Sequence, residues 1–494
     1  MSSTKSSVLM LSWEYPPRVV GGISSHVYDL SRALTRRGIN VHVVTCDFPD
    51  APDYEEADGV HVYRFDSYNI PAYDFLSWVF AMNKSMLQRA TDVMDANDGR
   101  IDLIHAHDWL VAQAAFELKD RYEKPLVSTI HSTEAGRRGG IRSDYERTIN
   151  EIEKQLVQQS WKVLCCSNYM ADQVSKTFGA DRSRVNVIRN GVDTSRFDVK
   201  INYELVKQRY ALPNEKLILF VGRLVHEKGV HVLIGAVPKV LATYTNVKFV
   251  IVGEGGMKES LLSETWNFGV SHKVFFTGFV DRKTLITLYK VSDLAVFPSL
   301  YEPFGITALE AMAAQVPVVV SDVGGLSEIV EHDKTGVKIY PNNSDSLAWG
   351  VVKVLTNPNY ADSLRQNAYR KIVEEYNWDK IAGEVVEIYR QTLALAPPKP
   401  VEMPKIQFPL QKFEKYTSEF RALLYMHSIG AVRRETAISI GDIVKVLDVN
   451  YAKLRRLLSM LIILGYVLSF KDNRGRMRYY LTGTGIIKVC SLFS

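Results

Sequence analysis

The sequence has few cysteines, no long apolar run and no signal-type leader, and each shortage excludes a class of protein. Its four cysteines in 494 residues lack the spacing of a metal site, so we expect free thiols in a reducing, cytoplasmic environment. The longest nearly apolar stretch, residues 457–470, is shorter than the roughly 20 residues of a membrane span. We expect it to be a buried helix that runs into a strand. The apolar run after the first residues is too brief for a signal peptide.

Glycine and proline are also too few for a collagen-like or disordered chain, at 30 and 18 residues. The 46% hydrophobic and 23% charged residues are ordinary for a globular protein. At about 150 residues per domain, the length predicts about three domains, each able to bury its own core.

The formal net charge of +5 is small, but it is unevenly distributed along the chain. Residues 402–494 hold 15 Lys and Arg against 7 Asp and Glu, a net +8, whereas the preceding residues hold 45 against 48, a net −3. Five of the 18 prolines fall at the boundary, which predicts a stiff linker over residues 396–410. The C-terminal part is therefore predicted to be a separate basic module.

Before this linker, short β-branched runs alternate twice with helical patterns, which is typical of parallel α/β sheets. We predict two doubly wound, Rossmann-like domains, residues 1–205 and 206–375, followed by a closing helix within 376–395. Strands are expected near residues 8–11, 41–44, 103–106, 126–130, 162–165, 185–188, 218–222, 248–252, 274–277, 294–298, 316–320 and 337–339. Ligands of such sheets bind at the carboxyl ends of the strands, so a cleft between the two domains is the expected site.

After the linker, the pattern changes to two short helices and two strands. Apolar residues recur at helical spacing around residues 440–447 and 454–462, and strands are expected at 467–471 and 477–481. Helix, turn, helix and a two-stranded wing predict a winged helix-turn-helix over residues 411–494.

The strongest chemical motif follows a predicted strand of the second domain, where Glu302 lies in the loop and a helix begins near Gly305. Backbone N–H groups of Gly305, Ile306 and Thr307 would face a diphosphate, and the helix dipole favours its negative charge. Glu310 leans back towards the helix start, where its two oxygens suit the hydroxyls of a ribose. A capped helix with a satisfied acid is the structural alternative, which the apolar surroundings of Glu310 make less favourable.

Two further loops carry ligand-binding residue types. Arg223 and Lys228 follow the first strand of the second domain, where two cations would neutralise a departing diphosphate without a metal ion. Gly21 and Gly22, before the first helix, let the backbone approach a ligand closely. Taken singly, surface charges and an ordinary strand-to-helix turn explain these loops equally well. The dinucleotide fingerprint of glycines is absent from the sequence.

Together these motifs resemble those of the retaining nucleotide-sugar glycosyltransferases with the GT-B fold, specifically the glycogen and starch synthases and their relatives. The resemblance covers roughly residues 8–392, and includes the segments around Asp108, Trp109 and His131. It implies an N-terminal acceptor domain and a donor-binding second domain. Gln315 is one departure, because relatives usually have glycine there, and the basic tail is another.

The resemblance implies glucose transfer from ADP-glucose or UDP-glucose to an α-1,4-glucan, with no protein nucleophile, metal or cofactor. Arg223 and Lys228 would stabilise the phosphates, Glu302 and His131 would hold the sugar, and Asp108 and Trp109 would shape the donor and acceptor side. Sucrose- or trehalose-type and lipid acceptors remain open, the latter through a basic segment at residues 137–142. The sequence leaves the oligomeric state open.

A different hypothesis makes the protein a nucleic-acid-binding regulator with an attached glycosyltransferase domain. Clustered cations on the second helix and the wing are the electrostatic pattern of a phosphate-backbone contact. A winged helix that binds a protein partner is the alternative. The candidate contact residues are Lys453, Arg455, Arg456, Arg474, Arg476 and Arg478.

Overall fold

A computed structural model describes residues 6–68, 74–395, 417–447 and 449–491. The predicted proline-rich linker, residues 396–410, lies outside the described residues.

The first domain is built on an eight-stranded sheet with strand order β3-β4-β2-β1-β5-β6-β7-β8. Every adjacent pair is parallel except β3 and β4, which are antiparallel. The central strands are buried end to end, because helices cover both faces of a parallel sheet. The strands are β1 (Ser7–Leu11), β2 (Asn40–Cys46), β3 (Tyr54–Ala57), β4 (Val60–Phe65), β5 (Leu103–His107), β6 (Leu126–Ile130), β7 (Lys162–Cys165) and β8 (Val185–Val187). The helices are α1 (Gly22–Arg36), α2 (Phe75–Ala96), α3 (Ala112–Tyr122), α4 (Glu134–Arg138), α5 (Asp144–Gln159) and α6 (Asn168–Phe178).

The second domain carries a six-stranded parallel sheet of order β11-β10-β9-β12-β13-β14. The order reverses direction at β9, so the loops after β9 and β12 lie side by side at a topological switch point. The strands are β9 (Lys216–Val221), β10 (Val247–Val252), β11 (Val274–Gly278), β12 (Leu294–Phe297), β13 (Val318–Ser321) and β14 (Val337–Ile339). The helices are α7 (Tyr203–Lys207), α8 (Val230–Leu241), α9 (Lys258–Asn267), α10 (Arg282–Val291), α11 (Ile306–Ala313), α12 (Gly324–Ile329), α13 (Ser344–Leu355) and α14 (Pro358–Glu375).

The chain then returns to the first domain through α15 (Trp378–Leu393), which occupies the range predicted for it. Its buried face, which includes Trp378 and Ile381, shares an apolar core with Val27 and Leu30 of α1. Because α15 follows the second domain in the chain and packs on the first, it links the two domains.

The described residues of the C-terminal domain form four helices and an antiparallel three-stranded sheet of order β15-β17-β16. The two helices and two strands expected from the sequence are formed. One expectation is wrong in part: Ile463, within the stretch predicted to be buried, is 85% exposed. The elements are α16 (Ser418–Ser428), β15 (Ile438–Ser439), α17 (Ile440–Leu447), α18 (Tyr451–Ile463), β16 (Val467–Lys471), β17 (Met477–Leu481) and α19 (Gly483–Ser491).

The C-terminal domain is docked on the two Rossmann-like domains, a contact that the sequence pattern did not predict. The Arg433 guanidinium lies 3.5 Å from the Asp47 carboxylate of the first domain. The Lys488 ammonium lies 3.0 Å from the Glu254 carboxylate of the second. The C-terminal domain therefore contacts both Rossmann-like domains.

The four cysteines are free and buried, as expected. Among the described residues, none of the helices combines the length and the apolar character needed to span a bilayer.

Candidate active site

A cavity of about 370 Å³ lies between the two domains at the carboxyl ends of their strands. Its size is within the range of small-molecule sites. Every residue predicted to act in catalysis, donor binding or acceptor binding lines it. These residues are Gly21, Gly22, Asp108, Trp109, His131, Arg223, Lys228, Glu302, Gly305, Ile306, Thr307 and Glu310.

Lys228 and Glu302 form the ion pair at the centre of the cavity. The Lys228 Nζ donates to Glu302 Oε2 at 2.7 Å, and the Ser299 hydroxyl donates to the same oxygen at 3.1 Å. The next residue, Gly229, has φ +66°, and a Cβ there would overlap the carbonyl oxygen of Pro298. Only glycine permits this close approach of the loops after β9 and β12. The approach brings the Lys228 ammonium within hydrogen-bonding distance of the Glu302 carboxylate.

Arg223 is the second cation of the site, and a carboxylate of its own loop holds it. Its Nη2 lies 3.5 Å from Glu227 Oε1. Burial lowers the pKa of Arg223, but an arginine keeps its charge at neutral pH. The Glu227 carbonyl accepts a hydrogen bond of 2.7 Å from the Leu300 backbone N–H, so this loop too is tied to the loop after β12.

Helix α11 begins after Gly305, which has φ +114°. The N–H groups of its first turn lack acceptors within the helix, as in any α-helix, and face the cavity side of the fold. The Glu310 carboxylate accepts a hydrogen bond from the Tyr289 hydroxyl at 3.1 Å. Burial raises the pKa of Glu310. Sequence reasoning missed Tyr289, because it lies in a different helix with no motif of its own.

Asp108 has strained backbone dihedrals, φ +63° and ψ +173°, in a region that is nearly restricted to glycine. Its Oδ1 accepts from the His131 backbone N–H at 2.8 Å. Burial raises the pKa of Asp108 to about 7. Strain and a perturbed carboxyl at one cavity-lining position are typical of functional sites.

Trp109 lies at the first-domain side of the cavity, where its ring packs edge-on against Phe75 with centroids 6.2 Å apart. Phe75, Tyr145 and Ile149 line the same side, which gives the acceptor half of the cavity an apolar and aromatic wall.

Three histidines cluster beside this wall: His26 and His107 are buried, and His131 is half-buried and lines the cavity. One ring nitrogen from each can be chosen so that the three lie within 4.8 Å of one another, an arrangement that is able to hold a metal ion. His107 Nδ1 and His131 Nε2 are hydrogen-bonded to each other at 3.2 Å. Burial lowers the pKa of His26 to about 4. The cluster is therefore uncharged, and its other two rings support the ring of His131.

The backbone of the Gly21–Gly22 loop is held in part by an acidic side chain of the same loop. The N–H groups of Val20 and Gly21 donate to the buried carboxylate of Glu14, at 2.7 and 2.9 Å. The Gly21 N–H therefore holds an internal anion. Glu14, which sequence reasoning missed, lines the cavity and fixes the loop.

The basic segment considered for a lipid acceptor is largely neutralised. Arg137 pairs with Glu134 at 2.8 Å and with Glu153 at 3.1 Å, and Arg138 lies 3.3 Å from Glu134. Burial raises the pKa of Glu153, and the Arg137 guanidinium acts in the opposite direction. Arg137 therefore belongs to a buried charge network at the cavity edge, whereas Arg138 and Arg142 of the same segment are exposed.

The predicted nucleic-acid contacts lie outside the cavity. Lys453, Arg455, Arg456 and Arg474 are exposed. Arg476 and Arg478 share the Asp472 carboxylate, at 3.2 and 3.1 Å, which reduces the positive charge that the wing presents.

Two Rossmann-like domains that face each other across a cavity lined by Arg223, Lys228 and Glu302 define a nucleotide-sugar glycosyltransferase of the GT-B fold. Residues 203–371 match the family Glycosyl transferases group 1, and residues 20–196 match Glycosyltransferase Family 4. An uncharacterized glycosyltransferase of Methanocaldococcus jannaschii is 42% identical over 78% of this chain and 97% of its own length. The chain therefore belongs to the group 1 glycosyltransferases.

The names of other relatives indicate different acceptors. A glycogen synthase of Mycobacterium tuberculosis is 36% identical over 77% of this chain and 94% of its own length. A D-inositol 3-phosphate glycosyltransferase of Jonesia denitrificans is 29% identical over 76% and 92%.

Solved structures support the fold. Sucrose-phosphate synthase from Thermosynechococcus elongatus superposes with a TM-score of 0.69 at 23% identity, covering 79% of this chain and all of that one. The catalytic domain of starch synthase IV from Arabidopsis thaliana, bound to ADP and acarbose, gives 0.63 at 16% identity, with the same coverage.

Proposed function

We propose that this enzyme is a retaining glucosyltransferase of the glycogen synthase type, which transfers glucose from ADP-glucose or UDP-glucose to the non-reducing end of an α-1,4-glucan. The observation that carries the proposal is the Lys228–Glu302 ion pair, set beside Arg223 at the switch point between the two domains. Residues 1–205 would form the acceptor domain and residues 206–375 the donor domain.

In this proposal the second domain binds the donor and stabilises its departing diphosphate. Arg223, Lys228 and the first turn of α11 would neutralise the charge that develops on the phosphates, and Glu310 would accept hydrogen bonds from the ribose. No protein nucleophile is required. The acceptor hydroxyl would attack from the side that the diphosphate leaves and pass its proton to the leaving phosphate.

Residues of both domains would hold the transferred sugar. Glu302 and His131 would bind its hydroxyls and stabilise the positive charge that grows on its ring. Asp108, held against the His131 backbone, would orient that histidine. Its pKa of about 7 places its titration near neutral pH.

The charge of the acceptor side favours an uncharged acceptor. Arg137 and Arg138 line the cavity from this side; Arg138 is paired with Glu134, and Arg137 with both Glu134 and Glu153. A phosphorylated acceptor would have to compete with both of them, whereas the hydroxyls of a glucan need no such cation. The aromatic wall around Trp109 suits the apolar faces of sugar rings.

The 36% identity to a glycogen synthase, extending over nearly all of that enzyme, supports the same choice. The proposed alternatives are small-molecule acceptors of the sucrose, trehalose or inositol phosphate type and lipid acceptors. The chain shares its fold with proteins named for such reactions.

An acceptor panel tests the proposal. The full chain is incubated with labelled ADP-glucose or UDP-glucose and, separately, with glycogen, maltooligosaccharides, D-inositol 3-phosphate, fructose 6-phosphate or lipid vesicles. We expect label in glycogen and maltooligosaccharides. Label confined to a phosphorylated or lipid acceptor would contradict the glucan assignment.

We propose further that the C-terminal domain is of the winged-helix type and that the exposed face of α18 binds a macromolecular partner. Lys453, Arg455 and Arg456 lie on this exposed face, whereas His427 of α16 and Cys490 of α19 are turned towards the catalytic unit. The partner would be a nucleic acid if the cations contact phosphates, and a protein otherwise.

Duplex DNA binding by the full chain at two salt concentrations separates the two partners. Phosphate contacts predict binding at 50 mM salt that weakens steeply by 200 mM. Absence of binding at 50 mM would assign the α18 face to a protein partner.

A further inference from the structure

The C-terminal domain reaches the cavity through its last helix, α19. The Cys490 thiol lies 3.2 Å from Nη2 of Arg18, which is fully buried in the loop before α1. Two residues earlier, the Lys488 ammonium lies 3.0 Å from Glu254 Oε2 in the loop after β10. A single helix therefore touches both Rossmann-like domains beside the cavity.

The side chains of α19 divide between the apolar core and the cavity. Ile486, Val489 and Cys490, spaced at i, i+3 and i+4, belong to the buried apolar core. Ile487, between them in sequence, points to another face and lines the cavity together with Glu254 and Val280. The family match ends at residue 371, so this part of the cavity wall comes from a domain outside the matched region.

Glu254 connects α19 to the loop that carries Arg223. Its two carboxylate oxygens accept from Lys258 at 2.8 Å and from Lys488 at 3.0 Å. Burial alone would raise the pKa of Glu254, but its contacts with these two lysines lower it, so the carboxylate is charged. The two cations fix the side chain in one position.

The backbone of this loop packs directly on the Arg223 loop. The Leu224 N–H donates to the Glu254 carbonyl at 2.8 Å, and the Gly222 N–H donates to the Val252 carbonyl at 3.0 Å. Gly253 has φ +135°, and a Cβ there would overlap the Gly222 carbonyl. A displacement of Glu254 would therefore move both residues that flank Arg223.

We propose that the C-terminal domain completes the donor site: Ile487 forms part of its wall, and Lys488 positions the Arg223 loop by holding Glu254. This inference rests on the proposed function in one respect, namely that the cavity binds the nucleotide sugar. The wall is formed by α19 and the loops after β10 and β11 of the second domain, away from the first-domain wall around Trp109, so it would contact the nucleoside diphosphate and leave the acceptor untouched.

Four full-length variants test the proposal. Ile487→Trp enlarges the side chain on the cavity wall, and Ile463→Trp makes the same change at an exposed position of the same domain. Lys488→Met removes the cation that holds Glu254, and Lys445→Met removes an exposed lysine of α17. Calorimetric titration with UDP and ADP measures nucleotide binding independently of transfer, and steady-state kinetics measure KM for donor and acceptor.

We expect Ile487→Trp to weaken binding of the nucleotide that the wild type binds by tenfold or more, with an unchanged acceptor KM. Lys488→Met should raise the donor KM and lower kcat, and Lys488→Arg should restore most of both. The two controls should stay within twofold of the wild type. Lys488→Met does not alter the cavity wall, so a purely structural role would change its Tm without changing the donor KM.

Circular dichroism and Tm identify a variant that fails to fold. If Ile487→Trp fails to fold, Ile487→Ala replaces it and is judged by the same change in nucleotide binding. Wild-type nucleotide binding and donor KM in folded variants of both Ile487 and Lys488 would overturn the inference. A wild type that binds UDP or ADP but transfers no glucose would instead refute the proposed function, and the binding comparison would remain decisive for α19.

Discussion

Lys228→Ala is the substitution whose consequence follows most directly from the geometry. It removes the ammonium that lies 2.7 Å from Glu302 and borders the proposed diphosphate position. At an effective dielectric constant near 20, a unit charge about 4 Å from a developing negative charge contributes about 4 kcal/mol. The side chain is 20% exposed, so we lower this to about 3 kcal/mol, which corresponds to roughly a 10²-fold loss of kcat.

The assay follows initial rates of transfer to glycogen at saturating donor and acceptor. Lys239→Ala is the matched control, because Lys239 also forms an ion pair in the second domain, with Asp345 at 2.7 Å, but does not line the cavity. We expect the control to retain wild-type turnover and both variants to keep a native circular dichroism spectrum. Turnover of Lys228→Ala within threefold of the wild type would refute the charge-stabilising role.

The remaining predictions concern the ribose site, a strained helix end and the response to acid. Glu310→Ala should abolish detectable transfer while the protein folds normally, because the carboxylate that Tyr289 orients is lost; transfer at a rate near that of the wild type would contradict the ribose assignment. Gln315 has φ +61°, a left-handed conformation that costs a residue with a Cβ about 1 kcal/mol. Gln315→Gly should therefore raise the free energy of unfolding by about 0.5–1 kcal/mol in urea titrations. A free energy of unfolding below that of the wild type would refute the strain at Gln315. Burial lowers the pKa of His26 to about 4 and that of His105 to about 3, below the unfolded value near 6.5, so these two histidines should contribute a loss of stability as the pH falls from 6.5 towards 4. His105→Gln removes one of them and should make the urea midpoint fall less between pH 7 and pH 5 than it does in the wild type; an unchanged pH dependence would contradict this.

The residues that line the cavity could be predicted from the sequence because many of them lie in loops directly after strands. In a parallel sheet these loops meet at one edge, so Arg223 and Glu302 converge through the topology of the second sheet, and Asp108 lies at the corresponding edge of the first. The left-handed φ of Gln315 follows the same logic: the glycine expected there marks a helix end with positive φ, and the glutamine occupies it at a cost in strain.

Side chains that act through distant partners could not be predicted. Glu14 binds the N–H of Gly21, and Tyr289 binds Glu310 from another helix. Neither has a local pattern that distinguishes it from an ordinary buried residue.

The docking of the C-terminal domain could not be predicted for the same reason, because it depends on contacts between residues that are far apart in the sequence. The contact between Arg18 and Cys490 joins residues 472 positions apart. Composition predicted a change of domain near residue 400, because charge and proline content are local properties. Composition gave no information on the surface that the basic domain covers. The docking surface depends on complementary side chains such as Lys488 and Glu254, and their spacing in the sequence does not indicate that they are close in space.

The central claim is that this cavity builds an α-1,4-glucan from a nucleotide-activated glucose, and the linkage of the product tests it most directly. Glycogen is incubated with the full chain and labelled ADP-glucose or UDP-glucose, washed, and digested with an exo-acting amylase specific for α-1,4 bonds. We predict that the amylase releases the label as maltose and that Lys228→Ala incorporates about 10²-fold less. Label that resists this enzyme, or no incorporation from either donor, would contradict the account.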